Sequence, residues 1–258
     1  MVTEIISVGT EILLGNIVNT NSAYLSEMCA RLGLSVYYES VVGDNEKRMA
    51  QVIKTALERS DVVILTGGLG PTEDDLTKEV TAQVMGVELK EDKHVRKRIE
   101  KYMEIYAKNH AGRKITANNW KQAMVPEGAL VLENSNGTAP GLIIEKDGKT
   151  AILLPGPPNE LKPLFEEQVY PYLRKRQPHV IYSQMVKIAG IGESQVADEI
   201  KDLIHSQTNP TIAPYAKPGE VHLRITAKAD SEKEGKKLVK PLVRELKSRF
   251  GKNIYSTE

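Results

Sequence analysis

The sequence predicts an α/β protein: a doubly wound, mostly parallel sheet with a β-hairpin, followed by a smaller α+β domain of split βαβ order. Three observations lead there. Strand, polar loop and helix recur three times between Met1 and Met85, the pattern of a parallel sheet with crossover helices. Two apolar runs then flank Asp147-Gly148, a hairpin turn dipeptide. After Arg176 the order changes to β-α-β-β-α-β. The domains expected are 1–176 and 177–258.

Glu4–Val8 reads as a buried strand that ends in Gly9-Thr10-Glu11. An amide- and hydroxyl-rich loop follows, and Thr20 or Asn21 is expected to cap a helix that runs through Arg31 and stops at Gly33. Ser35–Val42 is strand-like and ends in Gly43-Asp44-Asn45, with Asn45 capping the helix Glu46–Arg59. Met49, Val52, Ile53, Ala56 and Leu57 give that helix its apolar face. Asp61–Leu65 is a short β-branched strand, and Glu73–Met85 is helical with Gly86 at its stop.

Between them lies Thr66–Thr77, TGGLGPTEDDLT, a strand-to-helix turn around which the first domain is organised. Gly67, Gly68 and Gly70 let a ligand approach the main chain. Thr72 and Asp75 form a near variant of the capping box. A helix start attracts phosphate, but Glu73, Asp74 and Asp75 crowd this one and repel it. A divalent cation held between carboxylates and phosphate reconciles the two. The plainer alternative is that acids in a first turn complement the helix dipole and that glycines serve a tight turn.

Asp92–Lys108 reads as a charged helix with Val95, Ile99, Met103 and Tyr106 on one face. Thr116–Ala123 surrounds Trp120, expected in the core, and Lys121, by default a surface lysine. Ala129–Leu132 is a strand, Asn134–Gly141 a loop, and Leu142–Glu145 with Ala151–Leu154 the hairpin. Pro155, Pro157 and Pro158 stiffen the elbow into a helix reaching about Arg176, with Asn159 or Pro158 at its start. In the second domain Val180–Ala189, Thr211–Tyr215, Glu220–Ala229 and Asn253–Ser256 are strands, and Gln195–His205 and Glu232–Phe250 are helices. The rule for open α/β sheets puts ligands beyond the carboxyl ends of the strands. Gly9–Glu11, Gly43–Asn45 and Thr66–Asp75 therefore share one rim.

A net charge of +1 gives no global field to recruit nucleic acid or an anionic membrane. The single cysteine, Cys29, fits a buried apolar role and a reducing compartment. No leader pattern and no membrane-length apolar run is apparent, so a cytoplasmic protein is expected.

Taken together, GTEILLG with NTNSAYL (9–25), VGDN (42–45), TGGLGPTEDDLT, NNWKQAMVP (118–126), NSNGTAPG (134–141) and LLPGPPNEL (153–161) resemble the amino-terminal part of the CinA family. That part is a molybdopterin-binding superfamily domain related to MogA and MoaB, followed by a KH-like domain. In the superfamily's enzymes two aspartates matter, and by position these match Asp75 and Asp44. MogA-like proteins often carry basic residues where this chain has TEDD. The resemblance implies metal-dependent hydrolysis of ADP-ribose to AMP and ribose 5-phosphate, with Mg²⁺, Mn²⁺ or Co²⁺ as cofactor and K⁺ as an accessory. It implies metal ligands among Asp44, Asp74, Asp75 and Glu11, and a charge-offsetting role for Lys121. Substrate contacts are expected at Gly9, Thr10 and Glu11, and at Asn19 and Asn21 for ribose or base. Others are expected at Thr66, Gly67, Gly68, Gly70, Pro71 and Thr72. The remaining ones are Asn134, Gly137, Thr138, Ala139, Pro140 and Gly141, with Pro155, Gly156, Pro157 and Glu160. The alternatives are a molybdopterin- or nucleotide-binding module without turnover and a scaffold. A homodimer is expected. Nucleic-acid binding is not, because Gly190–Glu193 lacks the GxxG clamp. Many members of the family continue into a nicotinamide-nucleotide amidase domain; nothing here matches it, so no deamidase activity is expected.

Overall fold

The computed structural model describes residues 1–109, 117–177 and 179–258; the Tyr106 side chain, Thr116 and Pro178 lie outside what is described. The chain divides into two compact units, one of residues 1–30 and 34–174 and one of residues 31–33 and 175–258.

In the first unit β1 (Val2–Val8) is followed by a one-turn helix α1 (Thr10–Leu13) and by α2 (Thr20–Leu32). Next come β2 (Ser35–Val42), α3 (Glu46–Arg59), β3 (Val62–Thr66) and α4 (Thr77–Met85). The two short strands β4 (Leu89–Glu91) and β5 (Met124–Pro126) pair with each other, flanking α5 (Lys93–Asn109) and the 3₁₀ turn Ala117–Ala123. The remaining strands are β6 (Leu130–Leu132), β7 (Gly141–Lys146) and β8 (Lys149–Leu154). A helical segment closes the unit: α6 (Pro158–Leu164), a widened π turn (Phe165–Val169) and α7 (Tyr170–Arg176).

The six-stranded sheet has the order β2-β1-β3-β8-β7-β6. β2, β1, β3 and β8 run parallel, and β7 runs antiparallel to both of its neighbours, β8 and β6. From β1 the chain goes outward to β2, then returns to β3 on the other side. That reversal opens a crevice at the carboxyl ends of β1 and β3. The strands end level there: Ser7 pairs with Thr66, Val8 with Val42, and Thr66 with Leu154. β3 is buried along its whole length, as expected of a central strand covered on both faces. The hairpin turn takes positive φ at Asp147 (51°) and Gly148 (75°), as a two-residue Asp-Gly turn requires.

Trp120 is partly buried against the core, under the Arg96 guanidinium at 3.8 Å from its ring. Cys29 is fully buried, and burial, aided by Glu39, pushes its thiol up to about 12. Four local expectations are corrected. α4 begins at Thr77 rather than Glu73, because residues 71–76 form a turn closed by side chains. Asn19, not Thr20 or Asn21, caps α2 by accepting from Ser22 N at 3.2 Å. α6 starts at Pro158, one of the two alternatives expected, with Pro157 rather than Asn159 at its cap. The segment to Arg176 is also broken by the π turn, which follows Pro163, a residue with no N–H to donate.

The second unit contains β9 (Val180–Ala189), α8 (Glu193–Glu199), α9 (Lys201–Ser206), β10 (Thr211–Lys217), β11 (Glu220–Ala229), α10 (Glu232–Phe250) and β12 (Ile254–Ser256). Its antiparallel sheet, ordered β10-β11-β9-β12, packs Val186, Leu223 and Ile225 against Val239, Leu246 and Phe250. The expected helix Gln195–His205 is two short helices meeting at Ile200. Among the described residues no helix is long and apolar enough to cross a membrane.

Candidate active site

A cleft of about 730 Å³ lies at the carboxyl rim of the parallel strands, in the crevice the topology dictates. It is lined by the loops after β1, β2, β3 and β8 and by part of the 134–140 loop.

The loop after β1 is held to the loop after β2. Thr10 donates from N and Oγ1 to Asp44 Oδ2 at 2.9 and 2.8 Å, and Asp44 N returns a bond to Thr10 Oγ1 at 3.2 Å. This lock aligns Asp44, at the cleft wall, with Glu11 beside it. Asn19 is fixed on Ser7, its Nδ2 donating to Ser7 Oγ at 3.0 Å. Asn21 bridges two rim loops, donating to Thr66 Oγ1 at 3.0 Å and to Gly156 O at 2.7 Å.

The glycine turn is held from below by Thr77, whose hydroxyl donates to Gly67 O at 2.7 Å. A Cβ on Gly67 would come within 2.2 Å of Val8 O, so β1 and the turn approach each other only because no side chain intervenes. The acids then fold inward. Thr72 N donates to Asp75 Oδ2 at 3.0 Å, and the Thr72 hydroxyl lies 2.5 Å from both Asp74 Oδ1 and Asp75 Oδ2. The Thr72 hydroxyl, then a backbone N–H and Lys121, hold the Asp74 carboxyl below the usual carboxylate range.

Lys121 serves this turn through its carbonyls. Its Nζ donates to Thr72 O at 2.7 Å and to Asp75 O at 2.5 Å, and it does not line the cleft. Two of its three ammonium hydrogens thus go to backbone carbonyls, and the expected role of offsetting charge on the substrate has no contact in the cleft lining behind it. Lys78, buried and with its ammonium pKa lowered by desolvation, in turn donates to Lys121 O at 2.5 Å. Nothing in the residue pattern marked Lys78. Arg98, equally unmarked, holds the 134–138 loop through Asn134 O at 2.8 Å, Gly137 O at 3.2 Å and Thr138 O at 2.5 Å.

Of the residues expected to contact substrate, Gly9, Glu11, Asn19, Asn21, Thr66, Gly67, Gly68, Gly70 and Pro71 line the cleft. So do Thr138, Ala139, Pro155, Gly156, Pro157 and Glu160. Thr10 and Thr72 stand behind it as clamps. Asn134, Gly137, Pro140 and Gly141 are buried and off its surface. Asn134 braces Glu160 Oε2 at 2.7 Å, while Gly141 begins β7 opposite Leu132. Ile12, Ile17, Val18 and Gln122 also line the cleft, although none of them was singled out as a contact.

Among the described residues the lining includes the acidic residues Glu11, Asp44, Asp74, Asp75 and Glu160 and no Lys, Arg or His. Among the described residues no three His, Cys, Asp or Glu side chains are grouped so that they could hold a metal ion. An all-protein cage is therefore a poor fit. A hard cation bound by one or two carboxylates and completed by water and ligand phosphate fits this oxygen donor set.

The family described as "Probable molybdopterin binding domain" matches residues 4–175, and that described as "Damage-inducible protein CinA KH domain" matches residues 183–256. A competence-damage inducible protein of Clostridium beijerinckii is 54% identical over 258 residues, covering 100% of this chain and 62% of that protein. A CinA-like protein of Dictyoglomus turgidum is 50% identical over 252 residues, 98% of this chain and 60% of its own length. The chain thus spans less than two thirds of the length of these relatives. CinA of Thermoplasma acidophilum, whose crystal structure is described as that of a protein of unknown function, is 37% identical with a TM-score of 0.59, covering 66% of this chain and 97% of that one.

Proposed function

We propose, from the premise that this chain belongs to the CinA family and carries its molybdopterin-binding-type domain, that the cleft hydrolyses the diphosphate of ADP-ribose to AMP and ribose 5-phosphate with a divalent metal ion. The observation that carries this reading is the meeting of a bare glycine backbone with five carboxylates in one cleft. Such a wall repels a diphosphate unless a cation stands between them.

One or two carboxylates from among Asp44, Asp74, Asp75 and Glu11 would hold the ion, with water and phosphate completing its shell. When bound, Mg²⁺, Mn²⁺ or Co²⁺ supplies charge neutralisation and a water of lowered pKa. The chain's own part is placement. Thr10 fixes Asp44, and the Thr72 hydroxyl and the Lys121 ammonium fix the turn carrying Asp74 and Asp75. Residues 67, 68 and 70 form part of the cleft wall, where phosphate oxygens would meet the turn. Asn19 and Asn21, which line the cleft, would meet the ribose or the base.

Incubation with ADP-ribose and Mn²⁺ is expected to release AMP, and Asp75→Asn or Asp44→Asn to lower kcat/KM by roughly 10²-fold or more, as loss of an electrostatic contact in the transition state does. No AMP at high enzyme concentration with any of the three metals rejects the proposal. The second reading, binding of molybdopterin or its adenylated form without turnover, is favoured by the molybdopterin-binding family match. Titration with the pterin decides it, and an affinity no better than for unrelated nucleotides removes it. A cytoplasmic homodimer, without nucleic acid, belongs to the same proposal; a monomer in sedimentation would remove that part.

A further inference from the structure

The sheet of the second unit buries one face against its own helices. Val186, Leu223 and Ile225 share a core with Val196 of α8, Ile204 of α9 and Val239 of α10, so the three helices lie on one side. Strand residues alternate between faces, so the positions in between turn the other way. The pairing register sets these out in rows. Tyr215, His222 and Lys187 stand side by side across β10, β11 and β9, and Ala213, Arg224 and Met185 form the next row. This face is open to solvent: Tyr215 and Tyr255 are 47% and 55% exposed, and Lys217 and Lys228 are exposed with them.

Its charge is one-sided. Lys187, Lys217, Arg224 and Lys228 stand against a single acid, Glu220. Glu220 is already engaged, accepting from the Tyr255 hydroxyl and lying 3.0 Å from His222 Nε2. Arg224 is half-buried and oriented. Its Nε donates to Ser183 Oγ at 3.3 Å, and Ser183 Oγ lies 3.1 Å from Thr226 Oγ1. Among the described residues its terminal nitrogens have no acceptor, and Lys187 has no ion-pair partner. A guanidinium held this way presents a fork that takes a carboxylate bidentately. Lys187 is its diagonal neighbour on β9, roughly 7–8 Å away. Acidic side chains at alternate positions of an extended chain repeat at roughly 6–7 Å, so one such segment can reach both cations.

The remaining residues indicate the class of partner. Tyr, Arg and Met are enriched in protein interfaces, and Tyr215, Tyr255, Arg224 and Met185 share this face. The tyrosines stand on the edge strands β10 and β12 rather than in a central row for stacking bases, and the unit has no GxxG clamp. Pro214 removes a donor from the β10 edge, which favours docking on the face over strand addition.

We propose that the open face of β10, β11 and β9 docks an acidic, extended segment of another protein, with the Arg224 fork on one carboxylate and Lys187 on the next. The proposal concerns the second unit alone and does not depend on what the cleft of the first unit does.

The test is fluorescence anisotropy of a labelled decaglutamate peptide titrated with the full chain at low salt, beside an oligothymidylate of equal length. The chain is expected to bind the peptide more tightly than the oligothymidylate, and more weakly as salt rises. Arg224→Gln with Lys187→Gln is expected to weaken peptide binding roughly tenfold or more. Arg224→Lys keeps the charge and loses the fork, and should weaken it about threefold. Lys237→Gln with Lys240→Gln removes the same charge from exposed positions of α10, on the opposite side of the sheet, and should leave binding as it was. Equal loss in the two double variants reduces the effect to net charge and overturns the proposal. So does unchanged binding in the first, tighter binding of the oligothymidylate, no peptide binding at all, or a first variant whose only change is a smaller sedimenting species. An unchanged urea midpoint certifies its fold. If the midpoint falls, Lys217→Gln with Lys228→Gln, both at exposed positions, takes its place: weaker peptide binding supports the docking face, and unchanged binding overturns it.

Discussion

Gly67 and Gly70 lie three residues apart in one turn, yet an added methyl group acts differently at each. At Gly67, with φ of 99°, the new Cβ would sit 2.2 Å from Val8 O, a backbone atom of the central strand that cannot yield. Gly67→Ala is expected to cost about 2–4 kcal/mol of stability, the range for a strained backbone position with a hard clash. At Gly70 the nearest atom is Asp75 Oδ2 at 2.4 Å, the end of a side chain that can rotate away. Gly70→Ala is therefore expected to change stability by less than about 1 kcal/mol. It displaces Asp75, so ADP-ribose turnover should fall at least tenfold. Urea unfolding and initial rates on the two variants make the comparison. Full activity in Gly70→Ala would separate the position of Asp75 from the chemistry.

Elements in this fold are joined by charged side chains at their ends, and one such joint gives the second unit a pH dependence. Arg249, near the end of α10, forks onto Asp202 of α9 with NH1–Oδ1 at 2.6 Å and NH2–Oδ2 at 2.7 Å. This fork holds the Asp202 carboxyl down to about 2. A carboxylate whose folded pKa is depressed contributes stability above its unfolded pKa, about 4, and loses it as pH falls toward the folded value. Asp202→Asn is expected to lower stability at neutral pH and to flatten the decline between about pH 4 and 2. An acid limb unchanged in the variant would exclude the pair as its source. Most of the larger elements were legible because apolar runs and glycines mark strands and their ends: β3 and the Gly67–Gly70 turn are examples. β4 and β5 were not, since Leu-Lys-Glu and Met-Val-Pro are too short to show a period. The start of α4 lies later than the pattern indicates because the capping-box bond from Thr72 N to Asp75 closes a turn of its own, with the Thr72 hydroxyl on the Asp74 and Asp75 carboxylates. At the candidate site, the glycines and acids advertise themselves by type. Ile17 and Val18 read like ordinary core residues, and only their exposure sets them apart. Lys78, Lys121 and Arg98 bond to carbonyls far away in sequence, a relation no local pattern encodes.

Among the described residues, each of the two compact units has a hydrophobic core of its own. One runs from Ile6, Val63 and Leu65 to Ile99 and Leu153. The other joins Val186, Leu223 and Ile225 to Val239 and Leu246. The cleft belongs to the first alone, since every lining residue falls between Val8 and Glu160. Proteins with two cores commonly depart from two-state unfolding, so calorimetry is expected to resolve two transitions. A ligand that binds only the folded form stabilises it by RT ln(1 + [L]/Kd), about 2.7 kcal/mol at 100 times Kd. AMP with Mn²⁺, the product left in the cleft by the proposed reaction, should therefore raise one transition and leave the other in place. Asp202→Asn identifies the second by lowering it without moving the first. A single transition would show that the cores unfold as one, and equal shifts in both would place ligand binding outside the cleft or distribute it over both units.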